Sequence, residues 1–234
     1  YRTGSRNLGG ELVLLLLFLI LLTAFFPWLL FPLVLFFLFN LLMIPFGFTI
    51  RSMWNLLTVP GQLARVAFNP NLRKNHALEH ATINVIEEQF GSRQLSGYAA
   101  EDGFYIFGAV DPGILEAAAR AGHGRLLAGE RELVVHRRCG TTIAAANFIS
   151  SAAFLGLLWA TRHFTFLNVM VALAVANLIG PLLGTMLQKH VTTSWDVRDR
   201  EISGIEYKWE RPASFFGGWV AVPQQFFVRT RRLY

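Results

Sequence analysis

Two things are scarce in this chain of 234 residues, charge and cysteine. Charged residues make up 15%, where a soluble domain carries about 25%. Cys139 is the sole cysteine, so neither an intrachain disulfide framework nor a cysteine-only zinc site can form. The chain also lacks any recognisable RNA-binding or DNA-binding motif. Its net charge of +6 is therefore read against a membrane, where excess Lys and Arg reports orientation and contact with anionic headgroups. No nucleic-acid partner is expected.

Apolar residues are abundant instead, at 53%, with 21 phenylalanines and a mean hydropathy of +0.42. Three runs hold no charge: Leu12–Ile50, Cys139–Thr161 and Phe164–Gln188. A spanning helix needs about 20 apolar residues, so these runs exclude a soluble protein. Most of the charge lies in Arg51–Arg138, which reads as a water-exposed α+β insert. The fold class expected is a helical membrane protein of two hairpins, about four transmembrane helices, carrying a small cytoplasmic α+β insert.

Within residues 1–50, Pro27 and Pro32 bracket an apolar turn between helices Glu11–Phe26 and Pro32–Thr49. A re-entrant pair is the alternative, because 15 apolar residues make only about 22 Å of helix. No small-residue cleavage site follows the first run, so a signal peptide is not expected. Residues 51–74 suit an interfacial helix and connector. In residues 75–140 the pattern predicts a helix over Asn75–Phe90 stopped by Gly91, a strand over Gly103–Val110, a short helix over Ile114–Ala121 capped by Asp111, and a strand over Glu130–His136. Residues 141–191 form the second hairpin, turning at Thr161-Arg162-His163. Residues 192–234 read as a strand-like stretch followed by an aromatic, basic tail on the membrane surface. Basic residues flank the insert and both termini, while the far turn carries only Arg162. The positive-inside rule then places both termini and the insert in the cytoplasm.

The motif with most chemical content is His76-Ala-Leu-Glu79-His80. Residues four apart on a helix differ by about 40°, so both imidazoles share a face, with Glu79 about 60° to the other side of His76 and Glu87 nearly in line with it. Chance produces H-x-x-E-H in roughly one such chain in a hundred. The plain alternative is a helix whose histidines line a buried polar patch. A second motif, His136-Arg-Arg-Cys139, ends the predicted strand where the insert meets the second hairpin. Together His76, His80, His136 and Cys139 offer a tetrahedral ligand set, or three ligands and an open position, and zinc is the metal such donors favour. His136 and Cys139 could instead form a nucleophilic pair activated by the helix N-terminus, or Cys139 could be an inert interfacial thiol.

The H-x-x-E-H order resembles the inverted zincins, which implies zinc on both histidines and Glu79 as the catalytic base. The further downstream glutamate of that pattern has no clear match among Glu130, Glu132, Asp196 and Glu201. More broadly, HALEHATINVIEE, HRRCGTT and LQKHVTTSWDV resemble an uncharacterised bacterial membrane-protein family, a domain of unknown function, over Lys74–Ile205. That resemblance implies the bacterial inner membrane and joins the two motifs in one module, without supplying an activity. Two functions are expected to compete: a membrane metal-binding protein, hydrolytic if Glu79 serves as base, and a non-catalytic accessory subunit of a photosynthetic or respiratory complex. The lipid bilayer is a partner in either case. A transporter is disfavoured, since no intramembrane charge marks a pathway.

Overall fold

The structure, a computed structural model, describes residues 8–25, 28, 30–91, 94–208, 214–215, 218–219 and 225–233. The apolar first block gives α1 (Leu8–Phe25) and α2 (Leu30–Ala67). Pro27, in the turn expected between them, lies outside the described residues. α2 runs 38 residues without a break through Pro45, Arg51 and Pro60, where the sequence pattern predicts a separate interfacial helix. At about 57 Å it far exceeds the ~30 Å hydrocarbon layer, so the arginine marks where the helix leaves the apolar zone, not where it stops. The stop comes at Asn69-Pro70: the Asn69 side chain accepts from the backbone N–H groups of Asn71 and Leu72, and Pro70 starts α3 (Pro70–Phe90).

Beyond α3 the chain forms a hairpin of β1 (Ser96–Ala100) and β2 (Gly103–Phe107), then α4 (Pro112–Leu127), capped by Asp111. α5 (Gly140–Thr161) and α6 (Phe166–Leu187) follow as an apolar hairpin. β3 (Arg200–Lys208), the two-residue strands β4 (Ser214–Phe215) and β5 (Gly218–Trp219), and β6 (Gln225–Arg232) complete the chain. The main sheet has the order β1-β2-β6-β3, antiparallel throughout.

Two expected elements differ. Glu130–His136 is no strand; Arg131–Val134 is a short 3-10 turn. Its carbonyls have other partners: the Asn84 amide donates to Leu133 O and Val135 O, and His80 Nδ1 meets Val134 O. The position beside β2 is taken by β6, which comes from the stretch expected to lie on the membrane as a tail. Its alternation explains why. Phe226, Val228 and Thr230 turn into the core, while Arg229 and Arg231 face outward and pair with Glu206 and Glu201. The rest of that expected tail, residues 212–213, 216–217, 220–224 and 234, lies outside the described residues. β1 is not among the elements the sequence pattern predicts, and α4 is longer than the predicted Ile114–Ala121.

α3 and α4 cover one face of the sheet. Leu78, Ile86, Phe104, Ile106, Leu115 and Phe226 are the heart of this core. The helices meet closely at Gly122, where a Cβ would come 3.1 Å from that of Ala81. Asn75, wholly buried, ties the sheet to α3: its amide donates to Ala100 O and Glu101 O, and its oxygen accepts from Thr230 of β6.

α2, α5 and α6 are long and apolar enough to cross a membrane, and only 6%, 22% and 28% of their most apolar windows are buried within the protein. An apolar surface of that extent needs lipid or another protein against it. These helices contact one another through Phe48, Phe154, Val169 and Ala172. Gly180 and Gly184 let α6 approach α5: a Cβ on either would stand 2.8 Å or less from Ala146 or Thr142. That glycine pair therefore serves packing within the chain.

Candidate metal centre

Three parts of the chain meet where the spanning helices join the soluble domain. α3 brings His76, Glu79 and His80; the start of α5 brings Cys139; and a π-helical turn, Gln188–Thr192, ends α6. The segment after that turn is strapped over the first turn of α3. Arg73 donates to Thr193 O, Ser194 N–H donates to Arg73 O, and Lys74 pairs with Asp199 at 2.6 Å.

His76, His80 and Cys139 each present a ligand atom, all within 4.8 Å of one another, in a group that could hold a metal ion. Their surroundings fix which ring nitrogens are available. His76 Nδ1 lies 2.9 Å from Thr192 O and His80 Nδ1 lies 2.6 Å from Val134 O. A carbonyl can only accept, so each Nδ1 carries the proton and each Nε2 of the neutral ring carries a lone pair. Histidine ligands are oriented in this way in metal sites generally. The Cys139 thiol donates to His76 Nε2 at 3.2 Å. His80 Nε2 is fully buried and has no hydrogen-bond partner among the described residues.

An orphaned buried nitrogen of this kind costs about 1–3 kcal/mol, which a metal bond would recover. Donors around a tetrahedral zinc stand roughly 3.3–3.8 Å apart. His76 Nε2 and Cys139 Sγ, 3.2 Å apart, are near that spacing, and the whole group, within 4.8 Å, would hold zinc after closing by about 1 Å. Burial, reinforced by His76, holds the His80 imidazole far below its usual pKa and hence neutral. Burial pushes the Cys139 thiol up, against hydrogen bonds from Thr141 and Thr142 at the α5 N-terminus. Burial therefore works against a low-pKa nucleophilic thiol at Cys139.

Glu79 flanks His76 one helical turn along α3 and is 4% exposed. Its carboxyl sits against β1 at Gly97, where a Cβ would come 2.8 Å from Oε1, and Oε2 has no hydrogen-bond partner among the described residues. Burial pushes its pKa up to about 8, opposed by His76 and helped by Cys139. His136 is buried but outside the three-donor group; its Nε2 faces Glu87 Oε2 at 3.5 Å, and its ring centroid is 5.9 Å from that of His80. Gln188 is not singled out by the sequence motifs, yet it links the site's walls: its oxygen accepts from His136 N–H and its amide donates to Thr142. A glutamine closing a long apolar run is the available signal.

The stretch holding all of these residues, 71–205, matches the family DUF6391, a domain of unknown function. This chain belongs to that family. It is also similar to an uncharacterized protein of Picosynechococcus sp., 33% identical over 150 residues, which cover 56% of this chain and 73% of that protein. No solved structure matches. The DUF6391 region runs from the N-terminus of α3 through α6 into β3, so it includes the His76, His80 and Cys139 donors and both carbonyls that orient the imidazoles.

Proposed function

We propose that this DUF6391 protein is an integral membrane zinc protein, with His76 Nε2, His80 Nε2 and Cys139 Sγ as ligands at the boundary between the bilayer and the soluble domain. One observation carries the reading: three donors of zinc-favouring type converge, with both Nδ1–H groups already committed to backbone carbonyls. Two imidazoles and a thiolate suit zinc, whereas a hard cation such as magnesium or calcium would call for oxygen ligands.

Three protein ligands leave one tetrahedral position open, and Glu79 favours a hydrolytic role for it. Zinc supplies there a water of pKa near 7 and a Lewis acid. A dication beside Glu79 would draw its proton off, and the carboxylate so formed, with Oε2 unpartnered among the described residues and buried beside His76, would accept the proton of that water. His136 would support the site from outside the ligand set. The basic residues around the soluble domain favour its placement in the cytoplasm of a bacterium, with the inner membrane as the bilayer. The scarcely buried face of α2 is where further membrane subunits would pack, and such assembly is compatible with a resident metal.

X-ray absorption at the zinc edge of purified protein tests the reading. Two nitrogen scatterers near 2.0–2.1 Å and one sulfur near 2.3 Å are expected. A spectrum without sulfur would contradict it.

A further inference from the structure

The three donors are almost sealed from solvent, so a cation must reach them through the protein, and one cleft has in its wall Glu87, the ion-pair partner of His136. Its volume is about 450 Å³, and its walls include Glu87 and Glu88 of α3, Arg125 of α4, and Glu130 and Glu132 beyond it. Most of these charges are matched. Arg125 bridges Glu88 and Glu130, and Lys189 pairs with Glu132. The four carboxylates lining the cleft outnumber the two cations paired with them, Arg125 and Lys189.

Glu87 differs from its neighbours. Among the described residues its ion-pair partner is His136, at 3.5 Å, and its Oε1 is buried without a hydrogen bond. His136 is 5% exposed; its Nε2 faces Glu87 of the cleft wall, and its ring lies 5.9 Å from that of His80. Leu133 lines the cleft, and the next residue, Val134, supplies the carbonyl that holds His80 Nδ1.

We propose that this cleft is the route by which a divalent cation reaches the His76–His80–Cys139 centre, with Glu87 and His136 as a transfer pair that takes the hydrated ion and passes it to His80. The inference rests on the metal reading above. A carboxylate with one idle oxygen and an imidazole are donors that bind a divalent ion and release it to a site with more ligands. The residual negative charge concentrates cations at the mouth, an effect on association rates of about 10- to 1000-fold.

The test uses the full-length protein in detergent, stripped with a chelator, then mixed rapidly with Co2+ alone. The thiolate-to-cobalt absorption reports arrival at Cys139. Glu87→Gln and His136→Gln are each expected to slow uptake by about tenfold or more, with the final absorption unchanged, and added salt should slow the wild type. Glu116→Gln, on the exposed side of α4, should leave the rate unchanged. Wild-type rates in both cleft variants would overturn the route and leave the metal centre standing, with the side of His76 as the way in. A reduced final absorption in His136→Gln would make His136 a permanent ligand and also overturn the transfer role. If the wild-type protein takes up no cobalt, the metal centre fails and the route fails with it.

Discussion

Replacing Glu79 with glutamine should change how stability depends on pH, and the structure gives the size. In the metal-free protein burial raises the Glu79 pKa from 4.5 to about 8. Between those values the folded chain holds a proton that the unfolded chain has released. Stability is therefore highest below the unfolded pKa and falls as pH rises through the folded one. At pH 7 the deficit is about 3 kcal/mol, and beyond pH 8 it levels off near 5 kcal/mol. The substituted amide cannot ionise and keeps the shape of the protonated acid. Thermal unfolding of the metal-free protein in detergent from pH 5 to 8.5 would measure the effect. The wild-type midpoint should fall relative to that of Glu79→Gln, with the variant the more stable at pH 8. Every other titratable group is common to both proteins, so the difference between the two curves reports on Glu79. Parallel curves would refute the buried, protonated carboxyl. The same substitution should abolish any hydrolysis while leaving zinc bound, because Glu79 lies outside the three-donor group.

Three further outcomes follow from the packing and the site. Gly184→Ala would press a Cβ to 2.6 Å from Thr142 Oγ1. It should cost about 1–3 kcal/mol and weaken zinc binding in chelator competition, because Cys139 begins α5 and Thr192 follows α6; wild-type affinity would contradict this. Asn75→Ala removes the three hydrogen bonds joining α3, the β1–β2 turn and β6. The expected loss is about 1–3 kcal/mol, and hydrogen exchange should quicken in β6 and leave α5 and α6 protected. Zinc binding at pH 7 should release at least one proton, since burial keeps Cys139 a thiol until the metal displaces its hydrogen. Calorimetry in two buffers of different ionisation heat reads the release, and Cys139→Ser should reduce it.

The apolar runs make α5 and α6 legible almost to the residue, because a charge-free stretch of that length has few other uses. The shared face of His76 and His80 follows from helical periodicity, and their convergence with Cys139 is what the structure adds. Nearness to Cys139 in sequence groups His136 with the ligands. Its ring instead turns to Glu87, a contact between α3 and a loop that spacing cannot reveal. ERELVVH reads as a strand for its β-forming valines, but here β6 pairs with β2 and the carbonyls of the turn are used by His80 and Asn84. β6 itself escapes a sequence reading because its arginines, met alone, look like headgroup anchors; their acidic partners lie on β3, 23 and 30 residues away. The soluble domain is thus joined from both sides of the α5–α6 hairpin, a nonlocal pairing that a reading segment by segment cannot see.

The central claim is that the three donors hold a metal. Elemental analysis of detergent-purified protein, wild type beside the His76→Ala/His80→Ala double variant and Cys139→Ser, tests it most directly. The account predicts about one zinc per wild-type chain, none in the double variant, and a reduced content in Cys139→Ser. A correctly folded wild-type protein without metal, or one whose zinc survives loss of both histidines, would contradict it.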